Sequence, residues 1–318
     1  MGPIWDVWTH KYNLIGLLSY YQVTGDKQSL DAATRAADLM YETFVVQQRS
    51  MRLASAHVGM AATSVLEPIA VLYRITGDPR YLAFCHFIIN AWEDENDSET
   101  WMYEDGCQLL SSLLAHGNVY KTANRKAYEM LSNIVGLLAL YRVEPDVRYI
   151  TAAKNAWEDI ATRRLYITGA ASYHEQFTAD HRLPPGEAAG EGCVTVTWLQ
   201  LTAHLLALTG EAKYADELER TTYNALLAAQ SPHTGEITYF VPLMGHRWYG
   251  DRDRKMVPQI TCCSSSIPRG IAMIPAFASG TLNGKPTLLE YIPGRHALHY
   301  GEGDDRQNVT LHVYGDYP

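Results

Sequence analysis

Apolar positions recur along this chain at helical spacing, in paired blocks. The segments LIGLLSYYQVTGDKQSLDAATRAADLM from Leu14, VLEPIAVLYRITGDPRYLAFCHFIINAWE from Val65, LSNIVGLLALYRVEPDVRYITAAKNAWEDI from Leu131 and WLQLTAHLLALTGEAKYADELERTTYNALL from Trp198 each read as two helices. The first of each pair is apolar nearly all round and the second on one face only. A turn of Thr-Gly-Asp type separates them. Gly25, Gly77 and Gly210 suit the left-handed position that ends a helix, and Asp26 and Asp78 suit the cap of the next. In the third block Glu144-Pro145 stands in their place, and the proline is expected to stop the helix. The turns fall at Thr24, Thr76, Glu144 and Thr209, too widely and unevenly spaced for a solenoid. The extra length lies in 41–62, 94–125 and 163–192, read as loops carrying Gly, Pro and His. The pattern predicts a mainly α fold, an α/α toroid of helical hairpins with a pocket at the mouth, where the long loops gather.

After about residue 270 the periodicity changes. The stretch GTLNGKPTLLEYIPGRHALHYGEGDDRQNVTLHVYGDYP sets turn pairs such as Asn-Gly between short β-prone runs, and NVTLHVY alternates with period two. These are read as the opening strands of a β-sandwich, too few to close one. The expected organisation is an α/α-barrel domain over 1–272 and a partial β-sandwich over 273–318, shortened at both ends.

Composition narrows the class. The chain has 318 residues, 47% hydrophobic and 19% charged, which is ordinary for a globular protein. Its formal charge is −9 with no basic tract, which argues against a nucleic-acid partner. The start MGPIWDVWTHKYN has neither a basic nor an apolar leader region, and no apolar run reads as a membrane span. Five irregularly spaced cysteines suggest a reducing compartment, so a cytoplasmic protein is expected. Seven Trp and 21 Tyr suit stacking on sugar faces, but they also suit ordinary cores.

The chemistry concentrates in two stretches. GEGCVTVTWLQL places Glu191 two residues before Cys193, and TCCSSSIPRG sets Cys262 against Cys263. In extended backbone a carboxylate and a thiolate two apart can reach one ion. With the cysteine pair they make an oxygen-and-three-sulfur set, which favours Zn²⁺. The alternative is that the cysteines are small buried hydrophobes, with the pair joined in a vicinal disulfide.

These segments, with HKYNLIGLL, GMAATSVLEP, KAYEMLSN, RRLYITGAAS and TCCSSSIPRGIA, resemble glycoside hydrolase family 127, the β-L-arabinofuranosidase family. The resemblance implies a six-hairpin (α/α) barrel followed by β-sandwich domains, and a retaining glycosidase. It implies zinc held by Glu191, Cys193, Cys262 and Cys263, with Cys262 as nucleophile. The acid/base is implied sixteen residues before the ligand glutamate, and that position is Glu175. By resemblance His57, His116 and Tyr239 line the sugar pocket, with His10 and His174 as further candidates; loop packing is the plain alternative for each. Glu67 and Glu129 sit in helical patterns and read as structural, and Arg269 has no assigned role. The expected partner is a carbohydrate, an arabinose-containing oligosaccharide or glycoconjugate, with no nucleic acid and no membrane, and with a homodimer as an option. Two rivals differ in what they need. A non-catalytic, zinc-stabilised carbohydrate-binding toroid has no use for Glu175. A sugar epimerase or lyase on the same fold uses histidines and no cysteine pair.

Overall fold

Each Thr-Gly turn ends a helix in the backbone conformation its glycine permits. Gly25, Gly77 and Gly210 have φ of 73°, 69° and 68°, and their N–H groups bond back to the carbonyls of Tyr21, Tyr73 and Leu206. Asp26 caps the next helix through the Ser29 N–H at 3.0 Å, and Asp78 accepts from the Arg80 N–H at 2.9 Å. In the third block the helix ends at Tyr141, before Pro145 is reached. There the Val143 and Glu144 N–H groups both turn back onto the Leu140 carbonyl, and Asp146 caps the following helix.

The computed structural model describes residues 5–93, 108–247, 249, 262–301 and 303–316. Helix α1 (Asp6–Thr24) pairs with α2 (Lys27–Tyr41). A single-turn helix α3 (Met60–Thr63) precedes the pair α4 (Leu66–Thr76) and α5 (Pro79–Glu93). A short α6 (Leu109–His116) precedes the pair α7 (Ala127–Tyr141) and α8 (Val147–Arg163). The pair α9 (Gly192–Thr209) and α10 (Ala212–Thr221) is followed by α11 (Cys262–Ala278). Thus α3 and α6 occupy parts of the stretches read as loops; residues 94–107 lie outside the described residues. Strands β1 (Ser279–Leu282), β2 (Lys285–Leu288), β3 (Gly294–Tyr300) and β4 (Gln307–Val313) complete the order. The fold is mainly α with a small antiparallel β segment, as the periodicity predicts.

The described chain divides into two compact units. The first comprises Met1–Arg164 and Gln176–Arg182, the second Leu165–Glu175 and Leu183–Pro318. In the first unit α7 is buried from Ala127 through Leu140, which is why its sequence is apolar all round. Each fully buried leucine there stabilises the fold by roughly 1.5–3 kcal/mol. α4 packs against α7, and a Cβ at Gly136 would sit 2.9 Å from the Leu66 Cβ. The Arg164 guanidinium is fully buried in the same unit. It donates to Asp159 at 2.7 and 3.0 Å, to Asp180 at 2.8 Å, to Asn118 at 3.0 Å and to the Thr178 carbonyl. Burying a lone charge costs several kcal/mol, so this paired arrangement ties the Asn118 and Thr178–Asp180 loops to the end of α8.

In the second unit α9 is the buried helix and α10 is amphipathic. α9 is long and apolar enough to cross a membrane by length and composition, but it is mostly buried within the protein. α11 packs along α9 and continues through residue 272, where the sequence suggests the change to strands. The β1–β2 hairpin turns at Asn283-Gly284, both with positive φ (49° and 71°), the conformation a two-residue hairpin needs. β3 and β4 pair antiparallel from Gly294↔Val313 to Tyr300↔Gln307, and β4 alternates between exposed and half-buried positions.

Candidate active site

Two antiparallel segments of the second unit set the site. Glu191 pairs with Phe240 across an isolated bridge. The Gly192 N–H donates to the Tyr239 carbonyl at 2.9 Å, and the Val241 N–H to the Gly190 carbonyl at 3.0 Å. Glu191 is the N-cap residue of α9 in extended backbone (φ −60°, ψ 135°), whereas Cys193 already lies in the first helical turn. The extended spacing expected of the pair therefore holds only at Glu191. Cys262 and Cys263 open α11. The two helices come close because residue 192 has no side chain: a Cβ there would lie 2.9 Å from Ile267 Cδ1 and 3.4 Å from the Cys263 Cβ.

The convergence is tight. The Cys193 and Cys263 sulfurs are 3.5 Å apart, well beyond the ~2.05 Å of a disulfide, and Cys193, Cys262 and Cys263 are all free. One donor atom from each of Glu191, Cys193, Cys262 and Cys263 lies within 4.8 Å of all the others. Donors ~2.3 Å from a tetrahedral ion stand about 3.8 Å from one another. The four residues could therefore hold a metal ion after a small contraction. Glu191, Cys193 and Cys263 are buried, and Cys262 is exposed.

The electrostatics single out Cys262. Hydrogen bonds from the Cys193 and Cys263 thiols, with a further one from Tyr239, pull its thiol down to about 3. Burial pushes Cys193 and Cys263 well up, leaving them as the donors of the trio. Cys262 also sits in the first turn of α11, where the positive end of the helix dipole favours a thiolate. Cys193 makes a further contact to the Ser266 Oγ at 3.4 Å.

Tyr239 joins this cluster to Glu175. Its hydroxyl donates to Glu175 Oε1 at 2.6 Å and stands 3.6 Å from the Cys262 sulfur. Burial, then the neighbouring Glu191 and Cys262, keep the phenol protonated far above its ordinary range. His174 and Glu175 both have positive φ, 47° and 63°. Non-glycine residues held in that region cost of order 1 kcal/mol or more each and persist where surrounding structure enforces them. Glu175 is thus aimed at Tyr239 by a constrained turn.

The other candidates divide between the two units. His174 lies beside Glu175 with its ring edge on Tyr173 at 4.6 Å. His10, His57 and His116 belong to the first unit. His10 lies on α1, 3.9 Å from Asp6. His57 lies in a left-handed run with Val58 and Gly59, and its Nε2 is 3.7 Å from the buried Glu129. His116 is not in a loop: it is the last, exposed residue of α6. Glu67 is in the first turn of α4, and Arg269 donates to Gln200 at 3.2 Å. The sequence carried no sign of the Tyr239–Glu175 bond or of the Ser266 contact, which join residues distant in the chain; the second depends on how α9 and α11 meet.

Comparison with known proteins gives the family and the fold. The sequence profile of the β-L-arabinofuranosidase GH127 catalytic domain matches residues 2–276. A non-reducing end β-L-arabinofuranosidase of Bifidobacterium longum subsp. longum is 26% identical over 94% of this chain and 49% of its own length. The chain therefore spans about half the length of the curated relative it matches. Among solved structures, a GH127 β-arabinofuranosidase aligns over 99% of this chain and 47% of its own, with TM-score 0.75 and 23% identity. A GH127 β-L-arabinofuranosidase from Geobacillus stearothermophilus T6 aligns over 99% and 51%, with TM-score 0.73 and 20% identity. At these identities the structural likeness shows a shared fold, and the profile match over most of the chain shows the family. The chain belongs to the GH127 β-L-arabinofuranosidase catalytic-domain family.

Proposed function

We propose that this chain carries the catalytic centre of a retaining glycoside hydrolase acting on β-L-arabinofuranosides, with Cys262 as nucleophile and Glu175 as acid/base. The observation that carries the reading is the Tyr239 hydroxyl, which touches both groups. The two contacts put carboxylate and sulfur within about 6 Å, near the ~5–5.5 Å that separates the two carboxyl groups of retaining glycosidases. The sugar is taken from the relatives, whose names specify β-L-arabinofuranosidase activity.

Zinc suits the donor set, since thiolates are soft ligands and four donors complete a tetrahedron. Glu191, Cys193, Cys262 and Cys263 would hold it, and bound there it would supply the positive charge that keeps the coordinating thiols deprotonated. The remaining chemistry belongs to the protein. The Cys262 sulfur attacks the anomeric carbon, forming a C–S bond as the glycosidic C–O bond breaks. Glu175 gives its proton to the departing oxygen. Water then enters, Glu175 takes a proton from it, the C–O bond to water forms and the C–S bond breaks. Two inversions leave the anomeric configuration retained.

The test compares leaving groups. Glu175→Gln should slow substrates with poor leaving groups by about 100-fold or more in the first step, and aryl glycosides with activated leaving groups far less, because only the former need a proton. Equal losses on both would remove Glu175 from the acid/base role. Binding of an arabinose-containing oligosaccharide without turnover by metal-loaded protein would favour the carbohydrate-binding alternative.

A further inference from the structure

Resting on that reading of Cys262 and Glu175, the geometry assigns Tyr239 a role of its own. We propose that its hydroxyl is a positioning group that follows the negative charge between the two reacting side chains. It donates to the Cys262 sulfur while that sulfur is a thiolate, and to Glu175 once Cys262 is glycosylated and Glu175 is a carboxylate.

The contacts fit this behaviour. The oxygen is 2.6 Å from Glu175 Oε1 and 3.6 Å from the Cys262 sulfur, so one C–O rotation redirects the same proton. A hydroxyl has one proton to donate and lone pairs with which to accept. Before reaction, protonated Glu175 donates to the phenol oxygen while the phenol donates to the thiolate. When the C–S bond forms, the sulfur loses its charge and Glu175 loses its proton to the leaving group; the phenol proton turns to the carboxylate. In the second step charge returns to sulfur as the C–S bond breaks, and the phenol proton turns back. The tyrosine O–H bond is never broken, and protons and charges balance through Glu175, the leaving group and water. Charge-assisted hydrogen bonds are roughly twice as strong as neutral ones, so the hydroxyl matters most where charge is developing.

Tyr239 is held for this by its backbone. Its carbonyl accepts from the Gly192 N–H at 2.9 Å and lies 3.7 Å from the Cys263 sulfur, and its ring packs on Phe240 at 4.7 Å. None of these contacts uses the hydroxyl, so Tyr239→Phe keeps the scaffold and removes only the relay.

The kinetics of Tyr239→Phe on an aryl β-L-arabinofuranoside, with peptide mass spectrometry of the quenched reaction, test the proposal. kcat should fall about tenfold, with KM nearly unchanged or lower and a glycosyl adduct on Cys262 accumulating, because the departing sulfur has lost its donor. An unchanged kcat with no adduct accumulating, or a raised KM with unchanged kcat as a simple sugar contact would give, overturns the proposal. A parent protein that hydrolyses no aryl arabinofuranoside overturns instead the function in which the Tyr239–Glu175 pairing is used.

Discussion

Successive side chains of an α-helix point about 100° apart, so Cys262 and Cys263, the first two residues of α11, cannot face the same way. Cys263 turns inward to within 3.5 Å of the Cys193 sulfur, and Cys262 is exposed beside Tyr239. Adjacency thus gives one sulfur to the buried cluster and delivers its neighbour, still hydrogen-bonded to that cluster, to the open side. The two should separate on mutation. Cys262→Ser should lower turnover by about a thousandfold or more even where metal is retained, as loss of a nucleophile does. Cys263→Ser should act through metal content, with activity partly restored by added zinc. Metal analysis beside the assay checks this; equal damage by both routes would make both residues ligands only. At this scale the four donor residues were legible only with the family resemblance, because the spacing of Glu191, Cys193 and the cysteine pair by itself left small buried hydrophobes as an alternative. The Arg164 network was not, because Asp159, Asn118 and Asp180 are common polar residues in separate segments.

Among the elements, the hairpins were legible because glycine and aspartate at the turns carry local backbone requirements. α11 was not, since Pro268 and Pro275 lie inside it and a serine run follows its cysteines, features that ordinarily argue against a helix. Packing on α9 overrides them. Gly270 marks a close approach: a Cβ there would stand 2.6 Å from Val196 Cγ2 and 2.9 Å from Leu226 Cδ1. Val196 is β-branched, fully buried and slow to give way. Gly270→Ala should therefore destabilise by about 1–3 kcal/mol and weaken metal binding as α11 shifts. Gly16, exposed in α1, has nothing within 4 Å of its added Cβ; Gly16→Ala should stabilise by roughly 0.5–1 kcal/mol. Denaturant titration of both variants checks the contrast, and similar effects from the two would contradict the packing argument.

For the molecule as a whole, fold class and family were legible over most of the chain, whereas the stability ledger at its β end was hidden. Glu290 follows β2 and is fully buried, and neither carboxylate oxygen has a hydrogen-bond partner among the described residues. Burial, helped by Glu219, raises its carboxyl from 4.5 to about 7. The folded form thus holds a proton that the unfolded chain releases. Stability from this group is complete below about 4.5 and is lost as pH rises towards about 7, at about 1.4 kcal/mol per pH unit. Glu290→Gln should leave the melting temperature at pH 4.5 nearly unchanged and raise it at pH 8; a rise of equal size at both would contradict the assignment. The central claim is that an exposed cysteine at the mouth of a sulfur-rich centre, and not a carboxylate, forms the bond to the sugar. Its most direct test is peptide mass spectrometry of the Glu175→Gln variant, quenched while turning over an activated aryl β-L-arabinofuranoside, because loss of the base leaves the second step slow. The account predicts a pentosyl adduct on Cys262 with Cys263 unmodified. An adduct on Cys263 or on a carboxylate, or continued turnover with inverted product and no adduct, would contradict it.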